Sequence, residues 1–442
     1  MDQKKDDNVK DFNTPSSGDS LLEKRLSRRQ AIKYGAVGLA SLAGVGSLAY
    51  YVVRSARSEG AVSVFKNDAP RGEKWELWKK RGWVKEAAHY LKLGRNVQCQ
   101  VCPNECVLEP EDRSHCRNKV NKDGRLFTLA YGNPCSFHVD PIEKKPLFHF
   151  LPGTLAFSIA TSGCSFRCLN CQNWEISQKK PEETKDPTGD DVKLDPARDR
   201  FLTRRDIARL SMFPEDVVGL AELSRSRSIA YTYSEPTSFY EYMYDTSRLA
   251  RTKNIKNVWI TNGSVKTEAL LDLCQYLDAA NVDLKSFSEE IHKKLNSGKL
   301  QPILDTLKTL KERGVWFEVT NLIVPTWTDK LDMISRMCDW LVENIGADYP
   351  LHFSRFHPQY KLDHLPPTPV GILLEARSIA IKAGLNYVYI GNVPGLLEAA
   401  TTFCPKCKKA VVERLGYSVG RPNIEDGKCK FCGTKIAGFW SA

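Results

Sequence analysis

Short apolar runs recur through the middle of this chain, each ending in a polar break: 154–161, 228–233, 257–261, 281–285, 315–324, 351–356 and 387–391. Between several of them lie stretches with a helical period, for example Thr267–Leu277, Lys299–Arg313 and Lys330–Asn344. Buried strands alternating with amphipathic helices predict an α/β fold with a parallel sheet. The repeated unit predicts an open, partial (β/α)6 barrel over 151–400. The stretch 179–206 keeps neither period and is rich in Lys, Asp, Glu, Pro and Thr. It reads as a solvated insertion.

The flanks differ from this core. Residues 1–33 are polar and end in Ser27-Arg-Arg-Gln-Ala-Ile-Lys33, similar to a twin-arginine export motif. No charged residue occurs over 34–53. At about 20 residues that stretch is long enough to span a bilayer. It reads as an apolar signal or anchor, with Ser47-Leu-Ala49 a weak cleavage site; a buried helix is the alternative. The excess of positive charge before it favours a body outside the membrane. Residues 54–95 read as a charged linker with Trp75, Trp78 and Trp83 and a short helix against the body. Residues 96–150 and 401–442 form two cysteine-rich modules.

The 442 residues, 42% of them hydrophobic, can bury a large core and suggest two or three domains. The net charge of +11 comes from 64 basic residues interspersed with 53 acidic ones. No long basic stripe is present, so a mixed solvated surface explains the charge better than a nucleic-acid partner. The 14 cysteines fall mostly into three groups with metal-type spacing. Cys274 and Cys338 stand alone in apolar helical patterns and read as core; Cys135 is also isolated.

The most informative group is Cys164, Cys168 and Cys171, spaced C-x3-C-x2-C just beyond the run 154–161. Three thiolates hold three irons of a 4Fe-4S cluster and leave the fourth open to a small-molecule ligand. A zinc knuckle is the alternative, but it needs a fourth ligand. His149 and Cys135 lie too far upstream to supply one compactly. A loop at a strand's C-terminal end is also where barrel enzymes place chemistry. Cys99, Cys102, Cys106 and Cys116 (C-x2-C-x3-C-x9-C) can close a zinc site or bind a second iron–sulfur cluster. Cys404, Cys407, Cys429 and Cys432 form two C-x2-C knuckles, which read as a zinc ribbon or a rubredoxin-like iron site.

Polar residues follow successive strands: Glu235-Pro236, Thr261-Asn262-Gly263, Asp283-Leu-Lys285 and His352-Phe-Ser-Arg-Phe-His357-Pro358. Alternation points Asp283 and Lys285 the same way. Either histidine can be a packed core residue; His357, just past the strand, is the better ligand candidate. In this order, with the cysteine loop, the constellation resembles the pyruvate formate-lyase activating enzyme branch of the radical S-adenosylmethionine (radical SAM) superfamily. The runs Val139–Leu147, Cys171–Ser177, Tyr231–Pro236, His352–Pro358 and Tyr389–Asn392 are similar to the AmmeMemoRadiSam-system radical SAM family, over about 96–442.

The resemblance implies a TIM-like radical SAM barrel. It implies that S-adenosylmethionine chelates the open iron and is cleaved by one electron to a 5′-deoxyadenosyl radical. Glu235 would bind the methionine amino group and Asp283 the ribose, with Asn262, Lys285 and His357 supporting the cofactor. A low-potential electron donor is implied, as are partners from the Memo and AMMECR families. The superfamily's aromatic residue before the third cysteine is replaced by Asn170, for which Phe166 or Trp174 can compensate. The substrate is left open, either a protein, as in glycyl-radical activation, or a small molecule.

Two other readings stand beside this one: a membrane-linked iron–sulfur electron-transfer protein and a radical SAM enzyme that modifies RNA. The first does not account for Glu235, Asn262, Asp283 and Lys285. The second rests on net charge and the C-terminal knuckles. Cofactor supply favours a cytoplasmic body, whereas the twin-arginine-like segment favours export; the sequence leaves both open.

Overall fold

Every expected strand position in the core is occupied by a strand, and the reason is visible in the packing. A computed structural model describes residues 62–192 and 202–441. The twin-arginine-like motif and the apolar segment 34–53 lie outside the described residues. No helix among the described residues is long and apolar enough to cross a membrane.

The central sheet has eight strands in chain order: β1 (Ser136–Pro141), β2 (Leu155–Ala160), β3 (Ser228–Tyr231), β4 (Lys256–Thr261), β5 (Ala279–Asp283), β6 (Trp316–Ile323), β7 (Leu351–Arg355) and β8 (Val388–Gly391). β2 to β8 pair in parallel, and β1 pairs antiparallel to β2, with Ser136 opposite Ala160. The seven expected runs thus give seven parallel strands, one more than a (β/α)6 unit, and an antiparallel edge strand is added, so that the sheet begins inside the stretch 96–150. β1 and β8 occupy opposite edges, so the barrel is open.

Helices cover one face: α1 (Pro214–Leu223), α2 (Tyr240–Thr252), α3 (Thr267–Cys274), α4 (Gln301–Glu312), α5 (Leu331–Trp340) and α6 (Val370–Lys382). In α4, Ile303, Leu307 and Leu310 recur at i, i+4 and i+7 and are buried. The helix stops at Gly314, whose φ of +71° supplies the left-handed residue that ends many helices. Alternation in β6 sends Phe317 and Val319 into the large core, while Glu318 and Thr320 point the other way.

The inner face is filled by the chain itself. Ile142, Leu147, Phe150 and Leu151 pack against Ala156, Ala230, Val258 and Ala279 of β2 to β5. At this end Glu318 accepts the backbone N–H groups of Phe148 and His149 and pairs with His352 at 2.6 Å. His149 bonds to Ala437 O and Tyr389 Oη, both at 2.6 Å, which ties the C-terminal module to the barrel's lower end. His352 is therefore a packed residue of the barrel interior.

Two stretches are more integrated than their composition implies. In the 54–95 stretch, Gly72–Lys80 is helical, and Trp78 and Trp83 are fully buried edge to face at 5.2 Å. The 179–206 insertion is not simply solvated. Glu182 pairs with buried Arg113, and buried Lys185 donates to Pro134 O, Ile207 O and Leu210 O. Polar composition hides this, because the anchoring groups are themselves charged. Burial depresses the Lys185 amine to about 7, yet three carbonyl acceptors favour its charged form.

Candidate active site

The cysteine loop leaves β2 at its C-terminal end, and the polar strand ends predicted from the sequence converge beside it. Gly163 opens the loop with φ +91°. An added Cβ there would lie 2.4 Å from Cys116 O, so only glycine lets the loop approach the first module. Cys164 Sγ accepts the Phe166 N–H at 3.3 Å, and Cys171 Sγ meets Ser177 Oγ at 3.1 Å. Burial pushes the Cys164 thiol well up, and nearby Glu235 adds to the effect. Burial raises Cys168 to about 11 against the opposing pull of Lys285.

Glu235 is 2% exposed and serves as a structural joint. Its Oε1 accepts from Thr237 N (3.0 Å), Thr237 Oγ1 (2.7 Å) and Thr261 Oγ1 (2.8 Å). Its Oε2 accepts only Asn262 N, at 2.8 Å, which leaves a lone pair for a ligand donor. Burial raises its pKa, and the bonds from Asn262, Thr237 and Thr261 oppose the rise. Asn262 donates its amide to Ser165 Oγ at 3.1 Å and accepts Ser264 N at 2.9 Å. It braces the cysteine loop against β4 with both ends of its amide.

Asp283 and Lys285 lie on one side, as alternation requires, and pair at 2.7 Å. Burial lowers the Lys285 pKa, but Asp283 and Cys168 outweigh it and raise the group overall. This places a cation beside the second cysteine. His357 is exposed on the loop beyond β7, and the same loop touches the cysteine loop through Lys361 N to Leu169 O at 3.1 Å.

Burial distinguishes the two aromatic residues near Asn170. Phe166 is 1% exposed and packed against Gly298, where an added Cβ would meet the ring at 2.3 Å. Trp174 instead stacks on Tyr360, with centroids 5.3 Å apart and planes 13° apart, and stays partly accessible.

Sequence reasoning missed two groups. Asn296 is fully buried beside Cys168 with neither amide atom paired by conventional geometry. It lies in an irregular helical turn with no motif to mark it. The other group is Asp140, Lys145 and Tyr233. Asp140 pairs with Lys144 at 2.8 Å and Lys145 at 2.6 Å and accepts the Tyr233 hydroxyl. Burial alone would raise Asp140, but these three partners hold it well below the usual carboxylate range. Burial lowers Lys145 to about 8, against the pull of Asp140. Tyr233 O accepts from Asn173 at 2.7 Å, which joins this cluster to the cysteine loop. The run Val139–Leu147 carries part of the family resemblance, but only folding brings it to Tyr233.

The Radical SAM superfamily pattern matches residues 158–340, from β2 through α5. Uncharacterized protein MJ0808 of Methanocaldococcus jannaschii is 44% identical over 356 residues, covering 80% of this chain and 99% of that protein. The chain belongs to the radical SAM superfamily. It is related to the pyruvate formate-lyase 1-activating enzyme of Escherichia coli K12, which is 25% identical over 254 residues, 54% of this chain and 93% of that enzyme. A crystal structure of a domain of pyruvate-formate lyase-activating enzyme from Bacteroides vulgatus matches with 14% identity and a TM-score of 0.34, over 37% of this chain and 99% of that one.

Membership makes this radical SAM protein an enzyme and implies a 4Fe-4S cluster and S-adenosylmethionine. The residues present fit both groups. Three cysteines lie in one loop at the end of β2, and no fourth follows them closely in the sequence. The free lone pair of Glu235, the unpaired Asn170 Oδ1 and the unpaired Asn296 amide offer polar contacts at the same rim.

Proposed function

We propose that this enzyme reductively cleaves S-adenosylmethionine and uses the resulting radical to abstract hydrogen from a protein or small-molecule substrate, in the manner of an activating enzyme. The observation that carries the reading is the junction of the cysteine loop with Glu235 and Asn262 at the ends of adjacent strands. When bound, the cluster supplies one low-potential electron to the sulfonium and so gives access to the 5′-deoxyadenosyl radical.

The chain's own residues do the rest. Cys164, Cys168 and Cys171 hold three irons. Glu235, with one oxygen committed to Thr237 and Thr261, offers Oε2 to the methionine ammonium. Asp283 accepts from the ribose hydroxyls, and Lys285 balances the charge of Asp283 and of the nearby thiolates. Asn262 fixes the loop through Ser165. Trp174 offers an aromatic face to the adenine. Burial of Glu235 strengthens its charge-assisted bond, since a low local dielectric enlarges the attraction.

At the far end of the barrel, the geometry of the second knuckle pair supports a structural zinc. Cys404 and Cys432 sulfurs are 3.6 Å apart, and Cys407 and Cys429 sulfurs 3.7 Å. Tetrahedral zinc with sulfur at about 2.3 Å brings its ligands to about this separation.

Anaerobic reconstitution with iron, sulfide, S-adenosylmethionine and dithionite tests the main reading. The parent should release 5′-deoxyadenosine and methionine in equal amounts. The variant C164A/C168A/C171A should release neither. A triple variant with parental product formation would overturn the assignment.

A further inference from the structure

Resting on the radical reading above, we propose that Cys99, Cys102, Cys106 and Cys116 hold a second 4Fe-4S cluster that relays electrons to the cluster at Cys164, Cys168 and Cys171. The spacing alone also allows zinc. The spacing of the thiols in the fold favours the cluster. Among the described residues, the C-terminal tetrad is the only group of cysteine, histidine and carboxylate ligands whose ligand atoms all lie within 4.8 Å of one another. No three of the four N-terminal thiols meet that spacing, although Cys99, Cys106 and Cys116 are buried and Cys102 half-buried in one small module. A single tetrahedral ion draws four sulfurs close together. A cubane binds each cysteine to a different iron and spreads them.

The surroundings suit an anionic, redox-active group. Lys119 is 1% exposed beside Cys99 and pairs with Glu241. Arg117 and Arg167 lie between the two cysteine sets, and Arg117 Nη1 is buried with no protein acceptor. Four thiolates and a cluster carry net negative charge. Cations held in a low-dielectric interior offset it and make an added electron less costly. Lys119 already pairs with Glu241 and Arg167 with backbone carbonyls, so Arg117 Nη1 is the buried donor left for an anionic partner.

The position suits transfer. Gly163, next to Cys164, touches the Cys116 carbonyl. The His115 N–H donates to Cys106 Sγ at 3.4 Å, and His115 O accepts from Arg167. Arg167 in turn donates to Cys164 O at 3.1 Å. This path joins the two sites without a gap. Zinc, which has no redox chemistry, would make it idle.

The step balances with one electron. A reduced low-potential iron–sulfur or flavin protein gives one electron to the second cluster, which is reduced. That cluster passes the electron to the first and returns to its oxidised state. No bond forms or breaks, and no proton moves in the relay. The electron is consumed when the carbon–sulfur bond of S-adenosylmethionine breaks.

The test uses the full chain, reconstituted anaerobically. The parent should bind about eight irons and C164A/C168A/C171A about four, with a reducible cluster still seen by electron paramagnetic resonance. Parental 5′-deoxyadenosine formation driven by reduced ferredoxin should be lost in C99A/C116A, which should also lose half the iron. A triple cysteine variant that binds zinc and no iron would overturn the site, even if C99A/C116A fails to fold. The relay is overturned if a second cluster is present but Arg167→Gln and C99A/C116A form product from reduced ferredoxin at the parental rate. The iron content of the triple variant does not depend on cofactor cleavage. A parent that keeps both clusters yet makes no 5′-deoxyadenosine would refute the radical reading and leave the second site standing.

Discussion

Glu235 Oε2 accepts the backbone N–H of Asn262 at 2.8 Å and thereby joins the ends of β3 and β4. One carboxylate both fixes the rim and faces the cysteine loop. Glu235→Ala should therefore show two defects. Loss of buried hydrogen bonds should cost about 1–3 kcal/mol in stability. Loss of a charge-assisted contact should weaken S-adenosylmethionine binding by roughly 10- to 100-fold. Thermal melts and anaerobic titration calorimetry measure the two separately. Parental cofactor affinity in the variant would remove Glu235 from the cofactor site.

Asp283→Asn should separate the same quantities in the opposite way. The Asp283 carboxylate is 36% exposed, so solvent screens its pair with Lys285 and the stability change should stay below about 1 kcal/mol. Cofactor affinity should nevertheless fall by about tenfold if the carboxylate binds ribose hydroxyls. Equal affinity for S-adenosylmethionine in parent and variant would exclude that contact.

Gly163→Ala should damage the cysteine loop although alanine is small. The φ of +91° costs any other residue about 1–3 kcal/mol, before the clash at 2.4 Å with Cys116 O. The expected result is a lower melting temperature together with reduced iron content. A fully loaded variant of parental stability would contradict the close packing of the two modules.

Metal removal should loosen the C-terminal module first. Small zinc modules derive much of their folding energy from the ion. Cys404→Ser should release zinc and raise hydrogen exchange over 401–441. The increase should spread to 148–151, because His149 bonds to Ala437 O and Leu151 N to Phe439 O. Unchanged exchange in the metal-free variant would argue against a structural ion.

Acid should destabilise the barrel's lower end. Burial depresses His149 from 6.5 to about 4. The unfolded chain then takes up a proton that the folded one refuses. This contribution is fully present above about pH 6.5 and is lost as pH falls towards 4, amounting to a few kcal/mol. Urea unfolding at about pH 7.5 and about pH 5 should show the fall, and His149→Gln should flatten it. A pH dependence identical in parent and variant would assign the effect to other groups.

The strand positions and the three cysteine groups were written in the sequence, because burial on both faces demands continuous apolar runs and metal ligands demand fixed spacing. Alternation likewise put Asp283 and Lys285 on one side before any coordinates. Tertiary structure decided what distant segments do together. Only folding brings Asp140 and Lys145 to Tyr233, Asn296 to Cys168, and Arg167 between two cysteine sets. Only burial tells Phe166, locked against Gly298, from Trp174, half-buried on Tyr360, and exposed His357 from buried His352. The sequence left zinc and cluster open at Cys99–Cys116, because spacing along a chain does not set the distance between sulfurs. That distance depends on how the module packs, and so does the proximity of Cys116 to the loop that begins at Gly163.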